Sequence, residues 1–155
     1  MTAEDPIIPF RWNLAKREQI CDLSDVQAAV TYRGYFAHVR SAAALVLARA
    51  GDSDLVFVGR SPECLFDYLS GLMEGVAGAP SLTLMHFSAP RTPAEELARQ
   101  HKPELDALLG YFAAERLDPK AIASFGKQVR FIDVVSTGQT FGTLVDYLRY
   151  WTRVQ

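Results

Sequence analysis

Apolar positions along the chain change their spacing several times, and each change marks an element. In residues 35–50, Phe36, Val39, Ala43, Val46 and Ala50 follow at steps of three and four, which predicts a helix with one apolar face, stopped by Gly51. Residues 54–58, DLVFV, are a short continuous apolar run rich in β-branched and aromatic side chains. Such a run predicts a strand covered on both faces, here broken at Gly59. Ser61 and Pro62 read as N-cap and first residue of a second helix, with a stripe of Leu65, Leu69, Leu72 and Val76 that ends in the turn region 75–80.

Residues 81–87, SLTLMHF, predict a second buried strand, left through the loop 88–91 with its Pro90. Thr92-Pro93-Ala94-Glu95 has the form of a capping box with Pro in the first turn. Leu105, Leu108, Leu109 and Phe112 define an amphipathic helix opened by Pro103, and Asp118-Pro119 starts a short helix through Phe125 closed by Gly126. Residues 128–135 predict the third strand, 136–139 a loop, and the remainder a last helix burying Phe141, Leu144, Val145, Leu148 and Trp151. Apolar strands alternating with helices predict an α/β fold: a small doubly wound parallel sheet with helices on both faces and right-handed crossovers. Residues 6–12, PIIPFRW, are a candidate extra edge strand, although two prolines weigh against it. With no repeat, low-complexity tract or linker in the sequence, the whole chain 1–155 is expected to be a single domain.

Composition narrows the function classes. The 155 residues are 49% hydrophobic and 22% charged, enough for a core and too apolar for disorder. No window approaches the roughly 18 to 20 uncharged apolar residues of a membrane helix, so no membrane partner is expected. Glu4 and Asp5 stand where a secretory signal would carry basic residues, which makes the cytoplasm the expected compartment. Sixteen basic against eighteen acidic side chains, a net charge of −2, argue against a grip on duplex nucleic acid. Cys21 and Cys64 have no CxxC partner and read as reduced thiols; His38, His86 and His101 show no HExxH spacing and read as structural.

Ligands of open α/β sheets bind outside the carboxyl ends of the strands, so the strand-to-helix loops are where chemistry is sought. The run from Val129 to Thr140 delivers Asp133 near a strand end, then a small hydroxyl-rich loop with one glycine, then a helix. In such a loop Gly138 lets backbone amides turn toward an anion, Ser136, Thr137 and Thr140 offer hydroxyls, and the helix N-terminus adds partial positive charge. A phosphomonoester suits that arrangement. A tight connection in which Thr137 or Thr140 merely caps the helix and Asp133 binds loop amides would carry the same residues. Arg60, just past the first strand, is either a bidentate fork for phosphate oxygens or a solvated surface side chain.

The run FIDVVSTGQT resembles the phosphoribosyl-pyrophosphate motif of type I phosphoribosyltransferases: an apolar strand, two adjacent acids, two small apolar residues and a Thr-Gly-x-Thr loop. The resemblance implies that Ser136, Thr137, Gly138, Gln139 and Thr140 hold a ribose 5′-phosphate. It implies that Asp133, on the second acid of the pair, addresses the ribose hydroxyls directly or through Mg²⁺, as a catalytic residue and metal ligand. Ile132 replaces the first acid, which leaves one carboxylate where the family has two. Gly59, Arg60 and Ser61 fall where the family places its pyrophosphate loop. The likeness spans about residues 35–151, though only the 133–140 motif is specific.

The family usually continues past this last helix with strands and part of a hood that recognises the base. A base site is therefore expected from the N-terminal segment, from the helical insert between Pro90 and Gly126, from a second subunit of a homodimer, or not at all. Tyr32, Tyr35 and Phe36 are stacking candidates, although aromatics at helical spacing usually belong to a core. The function so implied is binding of phosphoribosyl pyrophosphate with Mg²⁺ and transfer of ribose 5-phosphate to an acceptor, as a glycosyltransferase of nucleotide metabolism. Two alternatives stand beside it: a non-catalytic module that binds a phosphoribosyl group or nucleoside monophosphate and regulates a partner, and an interaction protein that keeps only the fold.

Overall fold

A five-residue strand, β1 (Asp54–Val58), forms the middle of the sheet, between β2 (Leu82–Met85) and β3 (Val129–Ile132), and runs parallel to both. The computed structural model describes residues 34–88, 92–124 and 126–154, and contacts join Phe36–Gln155 into one unit. β1 shows why a central strand reads as uninterrupted apolar sequence: both of its faces are covered. Leu55 and Phe57 pack with Ala43 and Ala50 of α1 (Tyr35–Ala50) and Leu69 of α2 (Glu63–Met73). Val56 and Val58 face the opposite way, into the larger cluster. That cluster takes Leu97 of α3 (Ala94–Gln100), Leu105, Leu109 and Phe112 of α4 (Lys102–Ala114), and Leu144, Tyr147 and Trp151 of α6 (Gln139–Val154). The short α5 (Pro119–Ser124) buries none of its residues.

The described residues are thus α/β, with a small open three-stranded parallel sheet and helices on both of its faces. From β1 it crosses to β2 on one side, then returns past β1 to β3 on the other. The connections at the carboxyl ends of β1 and β3 therefore lead to opposite sides, which is where an open α/β sheet leaves a crevice.

Several expectations are corrected. β2 and β3 are shorter than the apolar runs 81–87 and 128–135: pairing with β1 stops at Met85 opposite Val58 and at Ile132 opposite Phe57, one residue before β1 itself ends. Phe36 is 69% exposed, so the α1 face that packs is Val39, Ala43, Val46 and Ala50. In α2 the packed side is Leu65, Phe66, Leu69 and Met73; Leu72 turns away from it and Val76 lies past the end of the helix. In α6 the large buried side chain is Tyr147, while Val145 is exposed.

The caps differ in an instructive way. Asp118 caps α5 as its sequence suggests, accepting from the Ala121 amide at 2.9 Å. Ser61 makes no cap bond, and Pro62 precedes the first residue of α2. The Thr92 capping box does not form: Pro93 is the N-cap, without a side-chain bond. Instead the Ala94 amide donates to the Asp146 carboxylate at 2.7 Å, and the Tyr147 hydroxyl donates to the Thr92 carbonyl at 3.1 Å. Both partners come from α6, so a neighbouring helix supplies what the local sequence does not. The segment 6–12, Cys21, Tyr32, Pro90 and Phe125 lie outside the described residues. Among the described residues no helix is long and apolar enough to cross a membrane.

Candidate functional site at the carboxyl ends of the strands

Gly59 follows β1, and the backbone there favours glycine. Its φ is +76°, its amide donates to the Met85 carbonyl at 2.8 Å, and an added Cβ would lie 3.3 Å from the Phe87 carbonyl oxygen. This turn lifts Arg60 and Ser61 out of the sheet, where both are exposed. Pro62 behind them is fully buried and anchors the start of α2.

β3 delivers Asp133 to the same end of the sheet. The carboxylate is half-buried and its Oδ1 accepts from the Val134 amide at 2.7 Å, which orients it at the strand's exit. Residues 134–137 are exposed. The chain then passes through Gly138 at φ +77°, and the Gly142 amide bonds back to the Gly138 carbonyl at 2.9 Å to begin α6. The first amides of a helix have no carbonyl a turn earlier to bond, so they carry the partial positive charge of its N-terminus.

Two adjoining hollows result. The smaller, about 150 Å³, is lined by Ser61, Asp133, Ser136, Thr137, Gly138, Gln139 and Thr140, with Val134, Val135 and Phe141 completing the wall. The larger, about 440 Å³, is lined by Val58, Gly59, Arg60, Ser61, His86, Phe87, Ser88, Asp133 and Thr140. Ser61, Asp133 and Thr140 face both. The structure therefore gathers the two loops singled out from the sequence, seventy residues apart in the chain, because β1 and β3 are hydrogen-bonded neighbours. The larger volume lies within the roughly 300 to 1,000 Å³ of small-molecule sites. The smaller combines backbone amides, hydroxyls and a helix N-terminus, the donor set of a tetrahedral anion.

Ile132 lies on the other face of the sheet. It packs beside Leu55 and Phe57 and lines a separate groove with Leu45, Arg49 and Arg130. Arg130 is held there by bonds from Nε to the Ala50 carbonyl at 3.2 Å and to the buried Ser53 hydroxyl at 3.0 Å. A carboxylate at position 132 would thus face α1, not the cleft.

Sequence reasoning missed His86 and Ser88. Both follow β2 directly and line the larger hollow. The signal was available in their place at the carboxyl end of a predicted strand, yet a lone histidine offers no spacing to notice. The backbone around His86 is well fixed. Its amide donates to the Tyr111 hydroxyl at 2.8 Å, and the next residue, Phe87, is buried in edge-on contact with Phe112 and Tyr147 at centroid distances of 5.6 and 6.2 Å. Burial pushes the Tyr111 phenol above its ordinary range, with the His86 amide acting in the opposite sense.

The donor set bears on the expected Mg²⁺. Among the described residues Asp133 is the one carboxylate lining either hollow, and no group of three or more His, Cys, Asp or Glu is placed to hold a metal ion. Hard cations need several oxygen ligands. These side chains do not fit a resident Mg²⁺ site, and a divalent cation here would depend on oxygens brought by a ligand. Compared with family models, curated proteins and solved structures, the chain matches none.

Proposed function

We propose that this chain is a phosphoribosyltransferase-like protein that binds a phosphorylated ribose, as phosphoribosyl pyrophosphate or a nucleoside monophosphate, at the carboxyl ends of β1 and β3. One observation carries the reading: the hydroxyl-rich loop at the start of α6 surrounds a small hollow that shares Ser61, Asp133 and Thr140 with the larger cleft, which Arg60 lines. The 5′-phosphate takes the small hollow, held by amides and the hydroxyls of Ser136, Thr137 and Thr140. Asp133 accepts from ribose hydroxyls across the shared wall. Arg60 offers its planar fork to a second anionic group on the far side of the sugar.

In the catalytic form of this reading the C1–O bond of the ribose breaks, the electron pair leaves with pyrophosphate, and an acceptor nucleophile bonds to C1 and gives up a proton. Such a reaction passes through an oxocarbenium-like centre, so clamping both ends of the substrate and stabilising the departing charge contribute most. A second reading, a non-catalytic module that binds the same ligand, is favoured by Ile132, which supplies no acid and faces away from the cleft.

Calorimetric titration with ribose 5-phosphate, inorganic phosphate and phosphoribosyl pyrophosphate tests binding, and measured pyrophosphate release separates the two readings. Saturable binding of ribose 5-phosphate that Thr137→Ala weakens supports the site. No heat or thermal stabilisation with any of the three overturns it; a ligand at 100 times its Kd would raise stability by about 2.7 kcal/mol.

A further inference from the structure

β3 stands at the end of the sheet order β2-β1-β3, and among the described residues no strand pairs with its outer edge. One set of its backbone N–H and C=O groups therefore faces outward, a template for another strand. Beside that edge lies the groove on the α1 side of the sheet, about 440 Å³, lined by Leu45, Val46 and Arg49 of α1 and by Arg130, Phe131 and Ile132 of β3. Its walls are apolar, and Leu45 is 55% exposed. Its charged lining residues are both arginines, with no carboxylate among the described lining residues.

Arg130 is anchored, unlike a side chain that swings in solvent. Its Nε donates to the Ala50 carbonyl at 3.2 Å and to the buried Ser53 hydroxyl at 3.0 Å, and these are its hydrogen bonds among the described residues. The two Nη nitrogens remain as donors on a guanidinium whose position those inner bonds fix. Such a fork loses little side-chain freedom on meeting a carboxylate.

Strand geometry turns these features into a pattern. Arg130 and Ile132, two residues apart, face the same side of the sheet, one bonded to the end of α1 and the other packed in the cluster beneath it. On a strand laid along the outer edge, residues two apart face that side as well, so one opposes Arg130 and the next opposes Ile132 and Leu45. The first position calls for a carboxylate and the second for an apolar side chain.

We propose that the outer edge of β3 takes up an extended acidic segment of a partner protein, as an added strand whose α1-facing positions alternate carboxylate and apolar side chain. The proposal is independent of the phosphoribosyl reading, since no residue of this groove lines either hollow of the cleft. A second copy of this chain fits the edge less well, because pairing β3 with β3 brings two Arg130 side chains to one short ladder. The same charge turns away basic strands, so the edge admits one class of partner.

The test titrates the full chain with the blocked peptides TVTETVT, TVTQTVT and TVTKTVT, which present the same pattern in either strand direction. The glutamate peptide should bind about tenfold more tightly than the glutamine peptide, the size of one charge-assisted contact, and the lysine peptide most weakly. Backbone amide exchange within Val129–Ile132 should slow when the glutamate peptide binds. Arg130→Met should erase the preference for glutamate over glutamine. Leu45→Glu changes an exposed position, leaves the core intact and should weaken the glutamate peptide about tenfold, so the outcome does not hang on the folding of one variant. Absence of binding to wild type, equal affinity for the glutamate and glutamine peptides, unchanged exchange in β3, or unchanged affinity in Leu45→Glu overturns the proposal. A wild type that sediments as a dimer while Leu45→Glu sediments as a monomer assigns the edge to a second copy and likewise overturns it.

Discussion

Ile132 and Phe57 are partners across the parallel ladder of β3 and β1, the last pair before the two strands part. Both side chains belong to the cluster under α1 and α2. Asp133, one residue on, belongs to the crevice. A single step along β3 therefore separates a core position from a candidate ligand-binding one, as the two-residue period of a strand requires.

The first prediction follows from that step. Ile132→Asp should not build a two-carboxylate site, because the new side chain would enter the apolar cluster beside Arg49 and Arg130. We expect a loss of about 1–3 kcal/mol of stability in urea titration, from lost packing and a partly desolvated charge, and no gain in pyrophosphate release. A folded variant that releases pyrophosphate faster than wild type would show that position 132 reaches the cleft after all.

Gly138→Val should abolish anion binding through backbone strain. A Cβ there would meet nothing closer than the Val135 Cγ1 at 3.9 Å, so space is available, but φ of +77° is strongly disfavoured for a branched residue. The loop should give up this conformation, at a cost of about 1–3 kcal/mol, and lose its grip on phosphate by more than tenfold while circular dichroism stays normal. Calorimetry with inorganic phosphate measures the effect, and Gly138→Asn, which tolerates the left-handed region better, should retain more binding than valine.

Asp146→Ala should loosen the start of α3 from a distance. It removes the acceptor of the Ala94 amide, leaves that part-buried donor without its partner, and is expected to cost about 1 kcal/mol, as other lost helix caps do. The fall should appear as a lower urea midpoint with an unchanged slope. Asp146→Asn, which keeps an acceptor oxygen, should recover most of it.

Stability should fall in strong alkali through two phenols. Burial pushes Tyr111 and Tyr147 above the ordinary tyrosine value of about 10, and Asp146 adds to the rise at Tyr147. The folded state thus binds the phenolic protons more tightly than the unfolded chain does. Their contribution is fully present below about pH 10 and is lost as pH rises through the folded values. Tyr111→Phe and Tyr147→Phe should each flatten the alkaline limb of the stability profile, and an unchanged limb in both would contradict the assignment.

How far these features could be read in the sequence depended on whether their causes were local. β1 was legible residue for residue, because a strand buried on both faces can only be apolar throughout, and DLVFV meets that demand. The bounds of α1 and the cap at Asp118 were equally local. The ends of β2 and β3 were not, since they fall where pairing with β1 stops and not where their own apolar runs stop. The cap of α3 was illegible for the same reason: Thr92-Pro93-Ala94-Glu95 carries the letters of a capping box, but Asp146 supplies the bond from far along the chain. At the candidate site the two loops were visible as glycine-punctuated strand exits. His86 was not, because its significance comes from lying beside Arg60 in the sheet order, and nothing adjacent to it in sequence says so.

The central place of β1 also has a consequence for a chain still being synthesised. Its β2 neighbour emerges soon after it, but Asp54 must wait for Val129 before its second edge is paired. Until then the ribosome has released an apolar strand with one side of its backbone unsatisfied, a template for pairing with any other extended chain nearby. Such distant pairing is slow to form. The interval between translation of β1 and of β3 is therefore when this protein is most exposed to aggregation, and its yield in cells should respond to chaperone supply more strongly than the small size of the folded unit would suggest.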